Sequence, residues 1–359
     1  MNFENSRSFA KMMDQNDPLK SYREKFYYPK SGNNKNVIYF CGNSLGLQPK
    51  SVRKYVEKEL YVWERDGVLG QHGRWEHFHE RLMDNTARLV GAEPSEVVVM
   101  NALTVNIHLL LVSFYQPNQN RNKVIIEKGT FPSDQYAIES QIKFHGFDPK
   151  SSLIELSPRK SEKTLRTQDV LDVVSEFKDE LSTIILGGVN YYTGQAFDMK
   201  SITEAGHQVG AYVGFDLAHA AGNLKMSLHD WNVDFAAWCS YKYLCAGAGA
   251  PSGIFIHKIH HDWSGPRLAG WWGHNKNTRF EMGSDFDPIQ TAEGWQISNA
   301  PIMGMVPLLA AMEIFDEAGM DAIRFKSEKL TGLLEFLIAV NLPEISIITP
   351  ENPLERGCQ

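Results

Sequence analysis

The chain has 359 residues, 43% of them hydrophobic, enough for a full globular core and too much for a disordered or fibrous protein. Its 36 Lys and Arg stand against 43 Asp and Glu, a formal net charge of -7, with no dense basic run, so the footprint of a nucleic-acid binder is missing and small-molecule or protein partners are expected. The opening MNFENSRSFAKMMDQNDPLK has no apolar core of the kind a secretory signal needs, and the most apolar stretch, 103–114, is interrupted by Asn106 and His108 and is too short to cross a bilayer. A cytoplasmic protein without membrane contact is therefore expected. Cys41, Cys239, Cys245 and Cys358 are widely spaced with no CxxC pair, which fits a reduced compartment, argues against zinc or a disulfide frame, and reads as buried free thiols.

In chain order, the turn GNSLGLQP leads into a helical segment over 50–66. Between 97 and 256, short β-rich runs alternate with helical patterns: VVVM, KVIIEKG, SLIEL, TIILGGVN, YVGFDLAH, DFAAWCS and GIFIHK. Apolar runs of this length, separated by amphipathic segments such as 169–181, predict strands buried on both faces of a mostly parallel sheet. The fold class is α/β, with a doubly wound sheet of the seven-stranded type flanked by helices and a smaller second domain. A further helical region begins over 301–318. The division expected is 1–65 contributing to the small domain, 66–310 as the large domain, and 311–359 as the start of a C-terminal small domain, apparently cut short because PENPLERGCQ ends in turn-like sequence.

In open α/β sheets ligands bind outside the carboxyl ends of strands. GAYVGFDLAHAAGN places Asp216 and His219 after one apolar run, and SYKYL places Lys242 after another, so a carboxylate, an imidazole and an amine can converge on one crevice. An aldehyde cofactor uses such a set, because a lysine amine condenses with a carbonyl and a carboxylate keeps a pyridine ring protonated and electron-accepting. The cofactor implied is pyridoxal phosphate. Its phosphate needs N–H groups at a helix start, which NALTVNIHLLL supplies together with the Thr104 hydroxyl. The small residues of CAGAGAPSG, directly after Lys242, let backbone pass close beside a ring.

With these residues in order, the chain resembles the kynureninase family of the aspartate-aminotransferase-like superfamily (fold type I). The matching segments are YFCGNSLGLQPK, NALTVNIH, KGTFPSDQYA, FDLAHAAGN, SYKYL, GWWGH, ISNAPI and NPLERGCQ, from about Tyr39 to the last residue. GNSLGLQP and TFPSDxYA are specific to that family, whereas DxAH followed by a lysine is common to the superfamily. The resemblance implies that Lys242 carries the cofactor covalently and Asp216 pairs with its ring nitrogen. It implies that Leu103, through its backbone, and Thr104 hold the phosphate with Tyr241 close by, and that Phe131 stacks on the ring while Asp134 and His219 hydrogen-bond around it. Trp271 and Asn299 match residues that complete the cofactor pocket, across a dimer interface in one arrangement. Ser44 and His72 match positions near the substrate, and His72 with Asn299 accompanies a preference for 3-hydroxykynurenine over kynurenine. Trp272 reads as packing.

The implied reaction is hydrolytic Cβ–Cγ cleavage to an anthranilate and alanine, in tryptophan breakdown or nicotinamide-cofactor synthesis, with Tyr241 a candidate proton donor. The family continues past this chain's last residue into a segment with a carboxylate-gripping arginine, a role that Arg356 does not take over. Two rivals remain open: a cysteine desulfurase or selenocysteine lyase, which places His rather than Tyr241 before the lysine, and a catalytically inactive binding protein on the same fold. A nicotinamide-dependent dehydrogenase lacks its GxGxxG after an early strand.

Overall fold

In a computed structural model that describes residues 2–359, each of the seven apolar runs forms a strand of one sheet. The strands are β1 (Val97–Met100), β2 (Lys123–Glu127), β3 (Leu153–Leu156), β4 (Leu181–Gly187), β5 (Tyr212–Asp216), β6 (Phe235–Trp238) and β7 (Ser252–Ile256), in the spatial order β1-β7-β6-β5-β4-β2-β3. From β3 through β6 all neighbours are parallel, whereas β7 runs antiparallel to both β6 and β1. The mostly parallel α/β class expected from the sequence is the observed one. Strands covered on both faces are apolar throughout, as VVVM in β1 and FAAW in β6 are, and only β3, at one edge of the sheet, leaves a residue, Glu155, exposed.

Helices α1 (Arg7–Gln15), α2 (Val52–Asp66), α3 (Met83–Val90), α4 (Leu103–Phe114), α5 (Pro132–Phe144), α6 (Pro149–Ser152), α7 (Thr167–Glu176), α8 (Met199–Gln208), α9 (Ile302–Ala318) and α10 (Met320–Asn341) surround the sheet. Strand periodicity divides the core in two. Val97, Val99, Ile125 and Phe215 face one cluster, with Leu89, Val170, Ile202 and Leu309 from α3, α7, α8 and α9. Val98, Met100, Val124 and Ile126 face the other, with Ile107, Leu110 and Phe114 from α4 and Ile138 from α5.

The second cluster fixes the start of α4, which matters for the site. The Phe114 ring, fully buried, stacks on Phe235 at 4.7 Å between centroids and meets Tyr212 edge-on at 5.5 Å. Gly214 makes that stack possible, since a Cβ there would lie 2.1 Å from the Phe235 ring.

The thiols depart from the sequence expectation. All four are free, but only Cys239 is buried, Cys245 is intermediate, and Cys41 and Cys358 are exposed. Cys41 lies in a surface segment where Ile38 and Phe40 also face outwards, so local chain path overrides the usual burial of cysteine. Among the described residues no helix is long and apolar enough to cross a membrane.

Phe114→Ala is expected to cost about 3–5 kcal/mol, because it removes a ring from the centre of an aromatic stack and leaves a cavity. Urea denaturation measures it, and a loss below about 1 kcal/mol would mean that the stack does not anchor α4.

Candidate active site

Strand ends and two helix starts build the site. The carboxyl end of β2 carries Glu127, and that of β5 carries Asp216, in register with Gly187 at the end of β4. The loop after β6 carries Tyr241 and Lys242. Past β1, Asn101 takes a left-handed turn (φ 47°) and the chain enters α4 at Leu103. These elements enclose one cavity of about 380 Å³, into which the residues around the starts of α4 and α5 also project.

Lys242 Nζ lies 3.1 Å from His219 Nε2 and 5.7 Å from the centroid of the Phe131 ring. Asp216 Oδ1 accepts from the Ala218 N–H at 2.7 Å. Thr104 Oγ1 and Ser133 Oγ are 2.7 Å apart at the two helix starts, neither of which has a side-chain cap. Uncapped N–H groups and two hydroxyls converging on one wall make an anion site. Opposite, Gly249 and Ala250 line the cavity, and Gly249 has φ +79°, a conformation that favours glycine.

The carboxyl groups crowd one another. Burial pushes the Asp134 carboxyl well above its ordinary range, with the charge of Asp216 and a hydrogen bond to it adding to the effect. Burial also raises Glu127 to about 7, despite the hydrogen bond that its Oε2 accepts from Asn190 Nδ2 at 2.9 Å. His219 moves the other way: burial, and then the charge of Lys242, depress its basicity. Burial pushes the Tyr241 hydroxyl up to about 12, with Cys239 contributing. The donor set fits pyridoxal phosphate: an amine for the aldehyde, a carboxylate for the ring nitrogen and two helix starts for the phosphate.

Of the residues singled out from sequence, Leu103, Thr104, Phe131, Asp134, Asp216, His219, Tyr241 and Lys242 all line this cavity. Ser44, His72, Trp271 and Asn299 do not. Ser44 sits in a turn, its N–H donating to Cys41 O at 2.9 Å, two residues before the Gly46 N–H that donates to Tyr241 O at 2.8 Å. His72 is exposed beside Glu76 at 3.0 Å. Trp271 is 42% exposed with Nε1 donating to Arg279 O, Asn299 is exposed, and Trp272 is buried beneath the Arg279 guanidinium. Arg356 is buried and paired with Glu335 at 2.7 Å.

Sequence reasoning missed Glu127, Ser133 and Tyr191, all of which line the cavity. Glu127 ends an apolar run, which is the same signal that marks Asp216.

Residues 38–357 match the family Aminotransferase class-V. The kynureninase of Myxococcus xanthus is 53% identical over 99% of this chain and 85% of its own length. The kynureninase of Flavobacterium johnsoniae is 52% identical over 100% and 86%, and that of Nematostella vectensis is 44% identical over 99% and 82%. Among solved structures, a C-DES mutant with glycine covalently linked to its PLP cofactor superposes with a TM-score of 0.75 at 15% identity, covering 93% of this chain and 84% of that one. An apo cysteine desulfurase from Thermococcus onnurineus gives 0.72 at 17% identity, covering 100% and 82%. At such identities the structures establish the fold alone.

Glu127 generates a pH prediction for the cofactor-free protein. Its folded pKa of about 7 lies above the ordinary 4.5, so between these values the folded state holds a proton that the unfolded state has lost. Stability is therefore fully present below pH 4.5 and falls as pH rises to about 7, by about 3 kcal/mol from this group. Glu127→Gln should flatten that part of the stability profile measured by urea denaturation. An identical slope in both proteins would contradict the assignment.

Proposed function

The chain belongs to the kynureninase family within the class-V aminotransferases, and from that premise we propose that its cavity binds pyridoxal phosphate and hydrolyses 3-hydroxykynurenine or kynurenine to the matching anthranilate and alanine. The observation that carries this reading is the meeting of Lys242, Asp216 and two uncapped helix starts around one cavity. Bound there, the cofactor supplies an electron sink for the charge left when the substrate loses its α-proton.

The chain's own residues do the rest. Lys242 Nζ would hold the cofactor through its aldehyde and, when free, would serve as the base for the substrate's α-proton. Asp216 would pair with the ring nitrogen and favour its protonated form, and beside it the Asp134 carboxyl is pushed well above its ordinary range by burial and by the charge of Asp216. The Leu103 N–H and the Thr104 and Ser133 hydroxyls hold the phosphate at the helix starts. Phe131 supplies an apolar face for the ring. Tyr241, whose hydroxyl burial keeps protonated, is the proton donor to the carbon that the cleavage leaves behind.

A cytoplasmic homodimer is part of the proposal. Trp271 and Asn299 are exposed and lie outside this chain's own cavity, which supports a role for them in the pocket of a second copy. Ser44 and His72 are assigned to the substrate, and His72 with Asn299 favours the hydroxylated one. Within the chain, 66–310 is assigned to the cofactor-binding domain, with 1–65 and 311–359 contributing to a smaller one. A desulfurase reading draws only on fold likeness, and Tyr241 stands where those enzymes are expected to carry histidine.

Lys242→Ala is expected to abolish both turnover of the two kynurenines and the visible absorbance of lysine-bound cofactor. Retained turnover would remove the lysine from the mechanism, and absence of cofactor binding in the wild type would end the reading. Thr104→Ala should weaken cofactor affinity about tenfold, the worth of one charge-assisted hydrogen bond, in a fluorescence titration.

A further inference from the structure

We propose that Gln359 is a positioning residue that fixes the tautomer of His219 and so makes its Nε2 the acceptor for Lys242 Nζ, which leaves the lone pair of the amine free for the cavity once it is deprotonated. Gln359 lies 140 residues from His219 in sequence, yet its Oε1 is 2.8 Å from His219 Nδ1. The same oxygen accepts from the Tyr243 hydroxyl at 2.9 Å, and the amide nitrogen donates to Tyr191 O.

These contacts leave one consistent assignment of protons. The amide nitrogen is committed to a backbone carbonyl, which can only accept, so the oxygen must face His219 and Tyr243. Burial pushes the Tyr243 hydroxyl far above its ordinary range, so it keeps its proton and donates. An amide oxygen has no proton to give, and His219 Nδ1 must therefore be the donor. In the neutral ring this leaves Nε2 with a lone pair, 3.1 Å from Lys242 Nζ. The ring stays neutral because burial and the charge of Lys242 both depress its basicity.

The tautomer decides how the amine can act. With Nε2 bare, Lys242 donates one N–H to it as ammonium or as amine, and once the ammonium has given up a proton the amine's own lone pair is left for the cavity, where a nucleophile or base needs it. With the proton on Nε2, the imidazole would donate into that lone pair and occupy the electrons that attack a carbonyl or remove a proton. Gln359 acts through His219 and touches no reacting atom. The catalytic meaning of the inference rests on the pyridoxal-phosphate reading, but the tautomer does not.

The test reads the imidazole nitrogens by NMR in the full chain labelled with ¹⁵N-histidine, before pyridoxal phosphate is added, with His219→Asn used to identify the signal. The wild type and Gln359→Glu, which keeps an acceptor, should both carry the proton on Nδ1. Gln359→Met, similar in size without an acceptor, should shift the population to Nε2–H. The rate at which Lys242 captures added pyridoxal phosphate should then fall about tenfold in Gln359→Met and recover in Gln359→Glu. A wild-type proton on Nε2, or a Met variant with an unchanged tautomer, would overturn the proposal, and the wild-type result decides even if a variant folds poorly. Because the tautomer is read without substrate, its failure is separate from any failure of the kynureninase reading.

Discussion

Three carboxyl groups, on β2, β5 and α5, share one cavity with a single lysine amine. Like charges in a poorly solvated space cannot all ionise without cost, so the protonation of Glu127 and Asp134 is tied to the charge of Asp216. That asymmetry gives the site its direction. Burial and the Asp216 charge push the Glu127 and Asp134 carboxyls up, so the three groups are not equivalent, and in the proposed function Asp216 is the one that would face the ring nitrogen. The rest of the architecture serves to keep these groups close.

The sheet order does this. Parallel strands end on the same side, so β2, β4, β5 and β6 present their carboxyl ends together, and β7 turns back against β6 to close the wall with Ser252. The α4 start is held by packing at its far end, where Phe114 is locked between Phe235 and Tyr212. A helix anchored in this way presents its N–H groups at a fixed distance from Asp216, and precise placement is what an anion site and a proton-transfer site both require.

The strands, α2, α4, α9 and the convergence of Asp216, His219 and Lys242 were legible because each follows from local periodicity or from the strand-end rule. Glu127 obeys the same rule, but a charged residue after KVII reads equally well as a solvated strand end, and only the fold reveals that it is 4% exposed. The Gln359 contact had no local signal, since it depends on the chain returning to a loop laid down far earlier. Trp271, Asn299, Ser44 and His72 were legible through motif alone, and their positions outside the cavity follow from loops whose paths no periodicity encodes. The thiols failed for the opposite reason: burial preference is an average, and the path of the chain at Cys41 overrides it.

The way the proposed phosphate would be held also bears on the chemistry. The residues lining the cavity include no arginine and only one lysine. A phosphate gripped by a second ammonium would place another full positive charge near Lys242, and one gripped by Lys242 itself would commit the amine that must react. Helix N–H groups and the Thr104 and Ser133 hydroxyls supply positive potential from fixed dipoles, which neither exchange protons near neutrality nor move. Lys242 is thereby left with an imidazole acceptor as its nearest hydrogen-bonding partner and with no anion to hold, so that once deprotonated its lone pair is uncommitted, as a lysine that is to bind an aldehyde and take a proton from carbon needs.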